Sequence, residues 1–339
     1  MHLILTMTWL QSLTIYHGRA EPSASRCSGL LSVPVVCGAL LFLSAGVVTL
    51  QSGIPVGNAT SQLIGHASPS YDWSAATELF PGIRHARLNL TSPRTLAVNV
   101  VRVDLSNPDI RLITTPRAPA YVENDVETIK QTTRDFLTSS RSTAKKLVVA
   151  VNGTGWTPFP APFPDPGTAN VAGLLISDGV QVSPVNPGAP QYAVFYMAKD
   201  WTVGLVPNPP DAALMSRMLN ALQGGNLVLF TGVPEGDNIG LEPRTGYGIS
   251  ADGRFLYLMT VDGRRTGYSL GCSLREVGDF LRYFGANNGI NMDGGGSTSL
   301  ARWNSWTSAA ELLNRPSDVP ERAVGNNLGV YSIASCETE

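Results

Sequence analysis

Residues 288–300 read Asn-Gly-Ile-Asn-Met-Asp-Gly-Gly-Gly-Ser-Thr-Ser-Leu, a short apolar strand that ends in a carboxylate followed by three glycines and three hydroxyls. Without side chains, Gly294, Gly295 and Gly296 let successive backbone amides converge on one point. Such a nest suits a phosphate or a developing negative charge, with Asp293 at its lip. Period-two alternation puts Asn291 and Asp293 on one strand face, and Ser297, Thr298 and Ser299 add hydroxyls within reach. A glycine triplet alone reads equally well as a tight turn; the surrounding polar cluster makes it a candidate site. Other polar residues at strand ends are Asn152, Arg244 in Glu-Pro-Arg-Thr-Gly (242–246), and Asp262 with Arg264 in Val-Asp-Gly-Arg-Arg (261–265). Arginine forks grip phosphate or carboxylate oxygens in pairs, and a carboxylate can act as general acid or base. Taken singly, Asp262 is also a turn residue, Arg264 a solvated charge and Asn152 a cap.

These residues need strands to hold them. Residues 95–105 and 109–116 alternate as two strands separated by Asn107-Pro108, which predicts a hairpin or meander. Residues 123–141 carry Val126, Ile129, Thr133, Phe136 and Leu137 at helical spacing, with Asn124 or Asp125 as N-cap. Residues 146–151 form a continuous apolar run, as in a strand covered on both faces. The Pro-rich stretch 156–167 must be a loop. Asp-Gly turns flanked by strands are predicted at 178–179 and 252–253. Residues 273–286 predict a helix capped by Ser273, with Leu274, Val277, Phe280, Leu281 and Phe284 on its apolar face. The expected fold class is α+β, with mixed, strand-rich sheets, a few packed helices and one main catalytic domain over 76–339.

The chain has 339 residues, 43% hydrophobic and 15% charged, with 34 Gly, 24 Pro and a net charge of -2. That balance, with no dense basic run, argues against nucleic acid as a partner. Of the basic residues 20 are Arg and 4 Lys; base composition of the genome explains this as well as phosphate binding does. Residues 1–28 have no assignable pattern. Residues 29–50 are uncharged, follow Arg19 and Arg26, and are long enough to cross a bilayer, so they predict a cleaved signal or an uncleaved membrane anchor. Residues 51–75 read as a linker, and the domain is expected to be extracytoplasmic: secreted, periplasmic or anchored. Cys272 and Cys336 could form one disulfide there. All four His precede residue 90, so neither a zinc site nor a Ser-His-Asp triad is easily built.

Taken together, VNGTGW (151–156), EPRTGYGIS (242–250), VDGRRTGYSLGCSLREV (261–277), NMDGGGSTSL (291–300) and ERAVGNNLGVY (321–331) resemble the phosphodiester glycosidase family, in the family's order. The chain departs from that pattern at Thr154, Trp156 and Ala323. The resemblance covers about residues 95–333 and implies hydrolysis of a sugar-1-phosphodiester to free sugar and a phosphomonoester. Arg244 and Arg264 would then clamp the phosphate, beside Gly294, Gly295, Gly296 and Ser297, with Arg322 as a further clamp. Asn152 and Asn291 would bond sugar hydroxyls or phosphate, and either Asp293 or Asp262 would serve the sugar side. No cofactor is required; a conventional glycosidase or phosphatase on the same scaffold would use the same acids, and a divalent cation between Asp262 and Asp293 would favour the phosphatase. A non-catalytic glycan-binding module, stacking sugars on Trp156, Trp303 and Trp306, is the third reading.

Overall fold

The computed structural model describes residues 70–158, 167–189 and 192–334. The segments 1–28 and 29–50, residues 51–69 of the expected linker, most of the Pro-rich loop and Cys336 lie outside the described residues, and so therefore does the expected disulfide; the end of that linker is instead part of the domain, with Trp73 buried in its core. No helix among the described residues is long and apolar enough to cross a membrane.

Two antiparallel sheets dominate. The larger runs in the order Thr77–Phe80, Ile83–Leu90, Leu96–Asp104, Phe255–Val261, Arg244–Ile249, Asn288–Asn291, Met218–Phe230, Tyr192–Ala198, Val203–Pro207. The second is Ala309–Leu312, Leu300–Asn304, Leu147–Asn152, Asn327–Ser332, Ile110–Thr114. Alternation along the strands explains how they stack. In Leu96–Asp104, Val101 and Val103 join the core shared with Val149, Val151, Leu328 and Val330 of the second sheet. Val98 and Val100 face the other way, against Val277, Phe280, Leu281 and Phe284 of the helix Leu274–Phe284. The back of the second sheet is covered by Phe136 and Leu137 of the helix Thr133–Ser139. The order of layers is helix, sheet, sheet, helix. This is a strand-dominated α+β fold, as expected, but the described strand pairs are antiparallel and the sheets are not mixed.

The strands around 95–105 and 109–116 form, but not as a hairpin. Leu96–Asp104 pairs with Ile83–Leu90 and Phe255–Val261, whereas Ile110–Thr114 pairs with Asn327–Ser332 in the other sheet. Asp104 and Asn107 each bond backbone amides two residues on, closing turns that lift the chain from one layer to the next. The helix predicted over 123–141 is also shorter. It starts at Thr133, capped by the Thr132 hydroxyl on the Asp135 amide, and Thr128–Ile129 pairs instead with Thr168–Val171. Neither Asn124 nor Asp125 is its cap. Glu127 decides this: its buried carboxylate accepts from the Asn124 and Val171 amides, which ties the segment into an extended path.

Both Asp-Gly turns form, with Asp178 at φ 52° and Gly179 at 78° in the first. The helix Leu274–Phe284 begins with a full capping box between Ser273 and Glu276 and ends on left-handed Gly285. Glu276 also pairs with Arg94 at 2.5 Å, both side chains being about 1% exposed. Removing one member of a buried pair strands the other charge. Glu276→Ala should therefore lower unfolding stability by about 3–5 kcal/mol, read as a lower urea midpoint.

Candidate active site

On its inner face the larger sheet changes from apolar to polar within one residue pair. Val101, Leu258, Tyr247 and Ile290 stand in register across four strands, and the next inward row is Asn99, Thr260 and Thr245. Valine at the first row and asparagine at the second put a hydrophobic floor beneath a polar end of the sandwich. The second sheet meets that end through Asn152, whose carboxamide is wholly buried. Its Oδ1 accepts from the Thr245 hydroxyl at 2.7 Å and the Ser299 amide at 3.1 Å, and its Nδ2 donates to the Asp293 carbonyl at 2.8 Å. The Tyr247 hydroxyl donates to the Asn152 carbonyl, and the Asp293 amide to that of Gly153. Asn152 thus ties both sheets to the glycine loop, and that occupies both ends of its carboxamide.

The loop itself is a 3-10 turn, Gly295–Ser297. This corrects the expected amide nest. Gly294 N–H donates to Asp293 Oδ1, Gly295 N–H to the Pro243 carbonyl, and the Ser297 and Thr298 amides to carbonyls within the turn. A 3-10 turn consumes amides that a nest would aim outward. What the glycines provide is close approach. Gly295 has φ +61°, and a Cβ there would lie 3.2 Å from Arg264 Nη2; one on Gly296 would lie 2.2 Å from Asp318 Oδ2 and 2.4 Å from Arg322 Nη2. Two guanidinium groups are packed directly on the backbone beside Asp293.

Asp293 is bonded at one oxygen only. Its Oδ2 is buried and has no hydrogen-bond partner, and the same holds for Asn291 Oδ1, Thr298 Oγ1 and Ser299 Oγ. Burial pushes the Asp293 carboxyl above the usual carboxylate range, against the Ser297 hydroxyl, the Arg322 charge and the Gly294 amide, which pull it down. Asn291 donates from Nδ2 to the Met292 carbonyl.

Asp262 differs. Its carboxylate accepts from the Tyr268 hydroxyl at 2.8 Å, Asn314 Nδ2 at 2.9 Å and the Arg315 amide at 3.0 Å and 3.1 Å. Burial raises this carboxyl too, opposed by Asn314, Tyr268 and the Arg315 amide. Tyr268, half-buried beside that carboxylate, is pushed up to about 12. Asn314 also donates to the Thr298 carbonyl, so Asp262 braces the far side of the loop. A cation shared with Asp293 would have to displace those donors, and among the described residues no three His, Cys, Asp or Glu gather as a metal-ligand set.

The structure brings Asn152, Asn291, Asp293, Gly294, Gly295, Gly296, Ser297, Arg264 and Arg322 together. Arg264 pairs with Glu242 at 2.6 Å, Arg322 with Asp318 at 2.7 Å. Arg244 lies behind the loop, its guanidinium donating to the Cys272 and Gly240 carbonyls. Sequence reasoning missed Glu242, Asp318, Tyr268 and Asn314. Asp318 stands four residues before Arg322, and opposite charge at that spacing was an available signal; Glu242 pairs with Arg264, 22 residues on, which no local spacing reveals. Trp156 is buried, whereas Trp306 is 97% exposed.

The chain matches the family model described as phosphodiester glycosidase over residues 145–331. Among solved structures it is similar to the zebrafish N-acetylglucosamine-1-phosphodiester alpha-N-acetylglucosaminidase catalytic domain auto-inhibited by its pro-peptide, with 21% identity, TM-score 0.53, and 78% of this chain and 87% of that one covered. A hypothetical protein from Synechocystis is similar with 16% identity and TM-score 0.50, over 74% of this chain and 62% of that one. No curated protein sequence matches. The family match takes in the segments that carry Asn152, both arginine-glycine contacts and Asp293, and on it the chain belongs to the phosphodiester glycosidase family.

Proposed function

We infer that this chain hydrolyses the bond between the anomeric carbon of a sugar and a phosphodiester oxygen, releasing free sugar and a phosphomonoester. The observation that carries the reading is the Asp293 carboxylate, with one oxygen bonded to Gly294 and the other buried without a partner, between two guanidinium groups seated on Gly295 and Gly296. A phosphate is already a stable leaving group, so cations at its oxygens matter more than a strong general acid. Arg264 and Arg322 are placed to supply them, Arg264 the more accessible, with Arg244 behind. Asp293 then serves the sugar side, stabilising positive charge at the anomeric carbon or taking a proton from water. Asp262, with its oxygens already engaged, holds the loop in place, and Asn152 does so from the other sheet. Asn291 and the hydroxyls of Thr298 and Ser299 retain unused hydrogen-bonding capacity toward a polar ligand. The uncharged run 29–50 supports action outside the cytoplasm, and a carbohydrate or glycosyl phosphate as the partner.

The direct test is to incubate the chain with a panel of sugar-1-phosphodiesters and identify the products. Free sugar plus phosphomonoester is expected; an alcohol plus sugar-1-phosphate would mean P–O cleavage and a different enzyme, and binding without turnover a glycan-binding module. Arg264→Ala should cut kcat/KM by about tenfold to a hundredfold with little change in the thermal midpoint, since its side chain is 49% exposed and its ion pair with Glu242 is a surface one. Unchanged kinetics in that variant would remove Arg264 from the clamp.

A further inference from the structure

Asp318 lies in the irregular segment after Ala309–Leu312, outside every motif that drew attention to the site. Its Oδ2 accepts from both Nε and Nη2 of Arg322, at 2.9 Å and 2.7 Å. That occupies one edge of the guanidinium. On the other edge Nη1 donates to Ser297 Oγ at 3.4 Å. Ser297 is fully buried, and its hydroxyl, which accepts from Arg322, lies beside Asp293, whose carboxyl it and the Arg322 charge both pull down. The Asp318 carboxylate, the Arg322 guanidinium and the Ser297 hydroxyl form one hydrogen-bonded chain next to Asp293. Gly296 sits under the Asp318–Arg322 pair with no room for a side chain, so the loop and the ion pair fix each other.

We propose that Asp318 is a positioning residue: by holding the Nε edge of Arg322 it aims the Nη1 edge at Ser297, beside Asp293, and so sets where the phosphate binds and where the cation stands relative to Asp293. This rests on the reaction proposed above, and extends it to a residue that does not touch substrate. An arginine side chain has several rotatable bonds, and its fork serves an anion only when its orientation is fixed beforehand. The charges facing the Asp293 loop are Arg322 with Asp318, Arg264 with Glu242, Arg244 behind Pro243, and Asp262 through Asn314. Among them Asp318 partly offsets the cation next to Asp293.

Two variants and two readouts test this. Titration of the full chain with inorganic phosphate by calorimetry should show binding weakened about tenfold in Asp318→Ala and largely recovered in Asp318→Asn, whose carboxamide oxygen still accepts from Nε. In steady-state kinetics Asp318→Ala should raise KM and lower kcat, whereas Asp318→Asn should keep kcat near wild type. The acid limb of kcat/KM in Asp318→Asn should move to lower pH by roughly half a unit to one unit, because Arg322 then acts on Asp293 without an offsetting anion. A merely structural Asp318 would lower the thermal midpoint and leave phosphate affinity and pH limb in place, and that result overturns the proposal. The phosphate titration needs no turnover, so a wild-type chain that hydrolyses nothing yet loses phosphate affinity in Asp318→Ala would sink the reaction and uphold the positioning.

Discussion

Asp293→Asn should reduce turnover of a sugar-1-phosphodiester by about 10²- to 10⁴-fold while the circular dichroism and thermal midpoint stay at or above wild-type values. The replacement keeps the volume and an oxygen able to accept from Gly294 N–H. It removes a charge that burial makes costly, so the fold gains rather than loses. A carboxylate whose second oxygen is buried without a partner is a strained arrangement for stability alone, and substrate is what would complete it. The same burial fixes the sign of the pH dependence. With the folded carboxyl raised, activity needing its ionised form falls as pH drops through a value above the ordinary Asp range, so the acid limb of kcat/KM should lie above that range. Folding stability moves oppositely: a buried acid with a raised value binds its proton more tightly when folded, so its contribution weakens as pH rises from the unfolded carboxyl's range through the folded one. A variant retaining wild-type kcat would move the search for the carboxylate to Asp262.

Gly296→Ala is the second large effect. A methyl there would overlap Asp318 Oδ2 and Arg322 Nη2, at 2.2 Å and 2.4 Å. Either the pair separates or the loop shifts, and a misplacement of about 1 Å costs about a hundredfold in rate. The substitution displaces the Asp318–Arg322 pair, so kcat/KM should fall by about that factor in steady-state kinetics. The far-UV spectrum should be preserved, since the loop contributes only a short turn. Should the alanine variant be as active as wild type, the guanidinium next to Gly296 would not belong to the reacting geometry.

Much of the fold was legible because its strands alternate cleanly. Leu96–Asp104, Leu147–Asn152, the two Asp-Gly hairpins and the helix capped by Ser273 were all readable from period and turn chemistry. What local pattern cannot carry is the partner of a strand. Ile110–Thr114 looks like the return arm of a hairpin, yet it joins the other sheet, because its alternating Ile110 and Leu112 find their apolar surface across the sandwich beside Val330. The short helix failed for a related reason: the periodicity from Val126 is real, but buried Glu127 spends its oxygens on the nearby Asn124 amide and the distant Val171 amide and pulls the chain straight.

The site was half legible. Asp293, Arg264 and the glycines were found from residue type at strand ends and Arg322 from the family resemblance, and they do meet. Their manner of meeting was not, since three glycines permit a nest and a 3-10 turn alike, and the choice falls to Pro243 and Asp293, which accept the Gly295 and Gly294 amides. Asp262 and Asn152 look catalytic in sequence because both end strands; only tertiary contacts reveal how many donors and acceptors each already serves.

Asn288–Asn291 belongs to the larger sheet and Leu300–Asn304 to the second, so the glycine loop is the strap by which the chain crosses between layers. Reaction geometry is consequently hostage to the docking of one layer on the other. A denaturation intermediate that kept either sheet intact but let them slide would have native-like secondary structure and no working centre, so catalysis should vanish at lower urea than ellipticity wherever the two transitions separate.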